Sequence, residues 1–166
     1  MLLDLPGGLI VVLNFGVIPF CHLLPSWALT RMPGKRFRPA ACLFQERNWE
    51  RGGAIYEHLF AIRRWKDFLP DGAPWLGGFP KKSLVGRDVH YLCAFRVETC
   101  RGELSHYLQI PLVLVTLLWN PWPYAAVIIL YALLSNVPCI LVQRHTRHRL
   151  ARLLTQRGRR TSQPDS

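Results

Sequence analysis

Uncharged runs alternate with charged ones along this chain. The first, LPGGLIVVLNFGVIPFCHLLPSWALT at residues 5–30, holds no Asp, Glu, Lys or Arg. At about 1.5 Å rise per residue it reaches across a hydrocarbon core of about 30 Å, so it predicts a membrane span, with a kink expected at Pro19. A cleaved signal peptide is the rival reading. It requires a basic start and a small-residue cleavage site, and neither is clear here. From Tyr107 to Gln143 there is again no Asp, Glu, Lys, Arg or His. That stretch is too long for one ordinary span, and Asn120-Pro121-Trp122-Pro123 breaks it. The pattern predicts a helical hairpin with arms at about 104–119 and 124–142.

The polar middle, residues 31–106, carries most of the ionisable groups. Gly53 to Phe68 reads as an amphipathic helix, with Ile55, Leu59, Phe60 and Ile62 on one side and Glu57, Arg63, Arg64 and Lys66 on the other. Trp65 between basic neighbours suits a helix lying along a membrane surface. Pro70 ends it, and PDGAPWLGGFPKK (70–82) reads as a Gly/Pro connector, with a membrane-touching lid as the alternative. A further helix is expected from near Arg87 through ETCRGELSHYLQI (98–110). No internal repeat is visible.

Composition sharpens this picture. The chain has 166 residues, 50% of them hydrophobic and 19% charged, with a formal net charge of +11. In a soluble domain that charge would point to nucleic acid. Here the basic residues flank the uncharged runs, which points to anionic lipid and no nucleic-acid partner. Asp4 precedes the first run, and Arg31, Lys35, Arg36 and Arg38 follow it. By the positive-inside rule the N-terminus lies outside, and the middle segment and C-terminus are cytoplasmic. Five scattered cysteines, Cys21, Cys42, Cys93, Cys100 and Cys139, lack zinc-type pairing and read as small apolar packers.

Three constellations bear chemistry. On a helix at about 100° per residue, His106 falls between Glu98 and Glu103, with Arg101 on the same broad face. A carboxylate beside an imidazole fixes its tautomer and raises its basicity, as a general base requires, and Arg101 could hold a phosphate or an oxyanion. The bland alternative is a charged helix end that anchors a span. Glu103-x-x-His106 also matches one element of a carboxylate-bridged di-metal bundle, but the further elements are missing, so no metal is expected. In SNVPCILVQRHTRHRL (135–150), Asn136 and Gln143 are buried-type amides, and Arg144, Arg147 and Arg149 are candidate phosphate contacts or simply a basic collar. His145 and His148 fall in the same collar. In YEHLFAIRRWKD (56–67), Arg63, Arg64 and Lys66 are candidate donor contacts or headgroup anchors, and Trp65 could line an apolar chain.

KRFRP (35–39), NWE (48–50), RRWKDFLPDG (63–72), ETCRGELSHY (98–107) and NVPCILVQRHTRHRL (136–150) together resemble the glycosyl-diaponeurosporenoate acyltransferase family, the final enzymes of staphyloxanthin-type carotenoid synthesis. The resemblance frames about residues 35–154. Arg101, Glu103 and His106 fill the family's Arg-Ala-Glu-Leu-x-His-Trp pattern, with Gly102 and Tyr107 replacing Ala and Trp. Gln143, Arg144, Arg147, Arg149 and Leu150 fill its Gln-Arg-Tyr-Asn-Arg-x-Arg-Leu pattern, with His145 and Thr146 replacing Tyr and Asn. The resemblance implies a small integral membrane protein that moves a fatty acyl group onto a sugar hydroxyl of a glycosylated carotenoid or related glycolipid.

The expectation is therefore an all-α integral membrane protein with one N-terminal span (about 5–30), cytoplasmic interfacial helices and a C-terminal helical hairpin. One acyltransferase-like domain covers 1–154, and 155–166 is a basic, disordered tail. His106, with Glu103 or Glu98, deprotonates the acceptor, and Arg101 stabilises the oxyanion or a donor phosphate. Arg63, Arg64, Trp65, Lys66, Asn136, Gln143, Arg144, Arg147 and Arg149 hold the donor or acceptor. The donor is an activated acyl group, expected as acyl-CoA, with no other cofactor; membrane lipids are the remaining partners. The rivals are a metal-dependent membrane oxidase or desaturase and a non-enzymatic membrane scaffold.

Overall fold

The computed structural model describes residues 3–70, 75, 77–79, 86 and 88–161, and these form helices and connecting turns. Most of the expected connector at 70–82, and Arg87, lie outside the described residues. Helix α1 spans Gly7–Arg31 and runs unbroken through Pro19 and Pro25. Helix α4 (Val89–Leu114) starts where the Asp88 side chain accepts a hydrogen bond from the Tyr91 backbone N–H at 2.8 Å, an N-cap that satisfies one of the open amides of the first turn. A 3-10 turn, Val115–Leu118, and the Asn-Pro-Trp-Pro turn then lead into helix α5, Tyr124–Thr161. Helix α5 passes through Pro138 and continues well into the residues expected as a tail. Its extension is rich in Arg, Leu and Gln, good helix formers, and Arg152 ties it down by donating to the Gly52 carbonyl at 2.8 Å.

Helix α4 packs along both α1 and α5. It is antiparallel to α1, as a ladder of side-chain bonds records. The Cys21 thiol donates to the Leu112 carbonyl, His22 meets Gln109, Ser26 meets Ser105, and Arg101 reaches the Met32 carbonyl. At the far end Asn14 and Asn120 exchange amide hydrogen bonds of 2.8 and 3.0 Å, and the Trp119 indole also donates to Asn14. These bonds fasten the start of α1 to the tip of the hairpin.

Helices α1 and α5 are each long and apolar enough to cross a membrane, with mean hydropathies of 2.0 and 2.3 over their most apolar windows. They turn Val12, Phe15, Phe20, Leu130 and Leu134 outward, a surface that favours lipid over water.

The expected amphipathic helix at 53–68 is not continuous. It divides into α2 (Ala54–His58), α3 (Ile62–Trp65) and a 3-10 turn, Lys66–Phe68, with Ala61 in the left-handed region at φ 46°. Tyr56 and Ile62 are both fully buried. Six residues apart on one continuous helix they would point about 120° apart, and the left-handed Ala61 between them turns the chain so that both reach the interior. Leu59 and Phe60, expected on the apolar side, lie on the outer surface of the protein.

Candidate functional site

Helices α1 and α5 flank α4, and a cavity of about 440 Å³ lies between them. Along α4 its lining runs from Glu98 to Gln109, about 16 Å at 1.5 Å per residue. The α4 residues at one end, Glu98 and Arg101, are charged, and Lys66 and Asp67 are the other charged residues of the lining. The middle holds Ser105, His106 and Gln143, and the other end is uncharged but polar, with His22, Gln109 and Tyr131. Sequence periodicity thus brings Glu98, Arg101 and His106 to one space, and the fold adds Gln143 and Lys66 to it.

The partner of His106 differs from expectation. Its Nδ1 lies 3.0 Å from Oδ1 of Asn136. The Asn136 amide nitrogen donates to the Ala132 carbonyl at 2.9 Å and to Ser135 Oγ at 3.1 Å. With the amide nitrogen so committed, its oxygen faces the ring and accepts from Nδ1–H, leaving Nε2 as the basic nitrogen. A buried amide thus does the orienting assigned from sequence to a carboxylate. Asn136 is fully buried, so it acts on His106 from behind the cavity wall.

Glu103 is buried in an ion-pair lattice. Its Oε1 accepts from Arg144 Nη1 at 2.7 Å and its Oε2 accepts from Arg147 Nη2. Arg144 also clasps Glu50, with Nε to Oε1 at 2.8 Å and Nη2 to Oε2 at 3.0 Å, and donates to the carbonyls of Leu43 and Gln45. The guanidinium of Arg147 lies over the Phe44 ring at 5.5 Å. Arg144 and Arg147 therefore do not line the cavity as donor contacts. They strap residues 43–50 onto the α4–α5 pair, as fully hydrogen-bonded buried charges must. Glu103 and His106 are only about 60° apart around α4, which is enough for one to meet the strap and the other the cavity.

Glu50 completes the strap. Tyr56 donates its hydroxyl to Oε1, the Arg47 backbone N–H to Oε2, and His148 Nε2 lies 3.2 Å from Oε1. Burial by itself would raise this carboxyl, but the bonds from Arg144, Tyr56, Arg47 and His148 outweigh it and hold its pKa down at about 2. Burial, then the Glu50 carboxylate, pushes the Tyr56 phenol up. His148 stacks on Tyr56, and His145 pairs with Glu57 at 2.6 Å.

The remaining candidates lie in different settings. Glu98 pairs with Arg101 at 3.1 Å, and Arg101 also donates to the Met32 carbonyl and lies over Phe37 at 4.9 Å. Arg101 thus lines the cavity from an anchored position. Arg63 pairs with Glu57 on the surface, Arg64 and Arg149 are exposed, and the Trp65 indole donates to the Phe60 carbonyl.

Sequence reasoning missed His22, Gln109 and Tyr131 in the cavity and the central place of Glu50. For His22 a signal existed, since a lone imidazole inside an otherwise apolar run is itself a functional pointer.

Residues 40–156 match the family model for glycosyl-4,4'-diaponeurosporenoate acyltransferase. Proteins of that name from Staphylococcus aureus strains MRSA252 and USA300 are each 33% identical to this chain over 137 residues, covering 79% of it and 81% of the relative. That of strain Newman is 33% identical over 128 residues. No solved structure matches.

Proposed function

The chain belongs to the glycosyl-4,4'-diaponeurosporenoate acyltransferase family, and from that premise we propose that it esterifies a sugar hydroxyl of a glycosylated carotenoid or related glycolipid by direct transfer from an activated acyl donor. The hydroxyl loses its proton to Nε2 of His106 as its oxygen attacks the donor carbonyl. The tetrahedral oxyanion collapses, the C–S bond of an acyl-CoA thioester breaks, and the imidazolium returns the proton to the departing thiolate. Asn136 keeps Nδ1 protonated throughout, so the same nitrogen serves as base and then acid. Arg101 at the charged end, with Lys66, faces the anionic part of the donor, and Gln143 faces the reacting groups. The acyl donor is the only co-reactant this scheme needs.

The observation that carries this reading is a tautomer-fixed histidine lining a cavity with one charged end and one neutral end. Such a gradient suits a polar donor and a lipid-borne acceptor. In this reading the protein is multi-pass, with the polar middle segment and the C-terminus in the cytoplasm and the carotenoid chain in the bilayer.

The test is acyl transfer by purified His106→Ala and Asn136→Ala with parental thermal stability. A general base of this kind contributes about 10²–10⁴-fold, so His106→Ala should lose at least about 100-fold in kcat. Asn136→Ala should lose part of that, with its pH profile displaced. Near-parental turnover in His106→Ala removes the assignment.

A further inference from the structure

We infer that the neutral end of the cavity, formed by His22, Gln109 and Tyr131 with Ser26 and Ser105, is a sugar-binding subsite that decides which hydroxyl of the acceptor meets His106. This rests on the acyl-transfer reading above. It goes further by naming the residues that select the acceptor.

The cluster is drawn from all three long helices. His22 Nδ1 lies 3.0 Å from Gln109 Oε1, and His22 Nε2 lies 3.0 Å from the Tyr131 hydroxyl. The Gln109 amide nitrogen lies within donating distance of the His22 carbonyl (3.1 Å), Ser26 Oγ (3.0 Å) and Ser105 Oγ (3.1 Å). Those acceptors orient the amide, so its oxygen accepts from His22 Nδ1–H, and Nε2 accepts from the Tyr131 O–H. The two serine hydroxyls are 2.9 Å apart. A connected set of neutral groups that both donate and accept matches the chemistry of a sugar, whose hydroxyls do the same and carry no charge. A charged ligand would be costly so far from the charged end.

The position also fits. Ser105 and Gln109 lie one residue before and three residues after His106 on α4, so a ring held by the cluster presents a hydroxyl within about one helical turn of the base. Tyr131 is 42% exposed and stands edge-on to the His22 ring at 5.6 Å. Its hydroxyl can exchange His22 for an incoming sugar oxygen without exposing a buried group. His22 and Ser26 precede the 40–156 region matched by the family model, so acceptor choice rests partly on a helix outside that match.

The experiment uses the full-length protein in nanodiscs, with hexyl glucoside and hexanol as binding probes. The parent should bind hexyl glucoside more tightly than hexanol. Tyr131→Phe, which removes one exposed hydroxyl, should weaken hexyl glucoside about tenfold, the loss of roughly one hydrogen bond, with hexanol unaffected. His22→Ala should do the same if it folds. In acyl transfer, Tyr131→Phe should raise KM for the glycosyl acceptor while KM for the donor holds, and should spread the ester over more than one sugar hydroxyl. Equal binding of both probes by the parent, or parental glucoside affinity and product regiochemistry in Tyr131→Phe, overturns the subsite. If the parent transfers no acyl group yet glucoside binding still depends on Tyr131, the catalytic reading falls and the subsite stands.

Discussion

Glu103→Gln separates two roles that sequence alone could not. The substitution keeps shape and removes one charge from a fully buried site. At an effective dielectric of about 20, a full charge pair at the 2.7 Å separation of Arg144 and Glu103 attracts by about 6 kcal/mol before desolvation is counted. Arg144 keeps Glu50 as a partner, but Arg147 is left without its carboxylate. Removing one member of a buried pair typically costs about 3–5 kcal/mol. A chain of 166 residues has an unfolding entropy of about 0.35 kcal/mol/K by the globular-protein scale, so a loss of 3 kcal/mol lowers Tm by about 9 °C. The assay is thermal unfolding in detergent, followed by tryptophan fluorescence, alongside acyl transfer measured below the transition. Glu103→Gln with Arg147→Met should recover part of the lost Tm, because the stranded charge is gone and the Arg144–Glu50 pair remains. Parental Tm with activity reduced about 100-fold in Glu103→Gln would refute the strap and restore Glu103 as the working partner of His106.

Three further outcomes are expected. The Glu50 carboxyl titrates at about 2 in the folded protein against 4.5 ordinarily, so its contribution, about 3 kcal/mol, is complete above pH 4.5 and is lost as pH falls from there toward 2; acid-unfolding curves of parent and Glu50→Gln should differ in slope over that window. Gly53→Ala should cost about 2 kcal/mol or more by thermal unfolding, because φ is 87° there and the new Cβ would stand 2.7 Å from Cβ of His148. Gly102→Ala would bring a Cβ to 3.0 Å from the Gln143 amide, the far end of a flexible side chain; Tm should change by less than about 1 kcal/mol equivalent, while kinetics report a displaced cavity wall through KM.

Helix α1 and the apolar part of α5 were legible because a helix apolar enough to cross a membrane needs an uninterrupted apolar run, which charge bounds. Pro19, Pro25 and Pro138, by contrast, lie inside these helices, and only the Asn-Pro-Trp-Pro turn marks an end. The register of α4 was also legible, since helical periodicity alone carries Glu98, Arg101 and His106 to one face. Partner choice was not. Glu103 looks like a catalytic carboxylate until Arg144 and Arg147, some 40 residues away on α5, are known to face it. Asn136 could not be matched to His106 without the packing of α4 on α5. The helix expected at 53–68 failed for a different reason. Its apolar spacing is helical, but the left-handed Ala61 interrupts it, and Tyr56 and Ile62 on either side of the break are both buried, a tertiary arrangement that periodicity does not encode. His22 was hidden by its surroundings, an imidazole in a run judged by its average character.

In the reading proposed above, the place of the cavity between α1 and α5, with half-exposed Tyr131 among its walls, lets an acceptor held in lipid enter sideways without crossing water. Its effective concentration is then an areal density. Adding inert phospholipid at constant total acceptor should slow the reaction, as dilution in solution would slow a soluble enzyme, whereas changing the aqueous volume should leave acceptor saturation untouched.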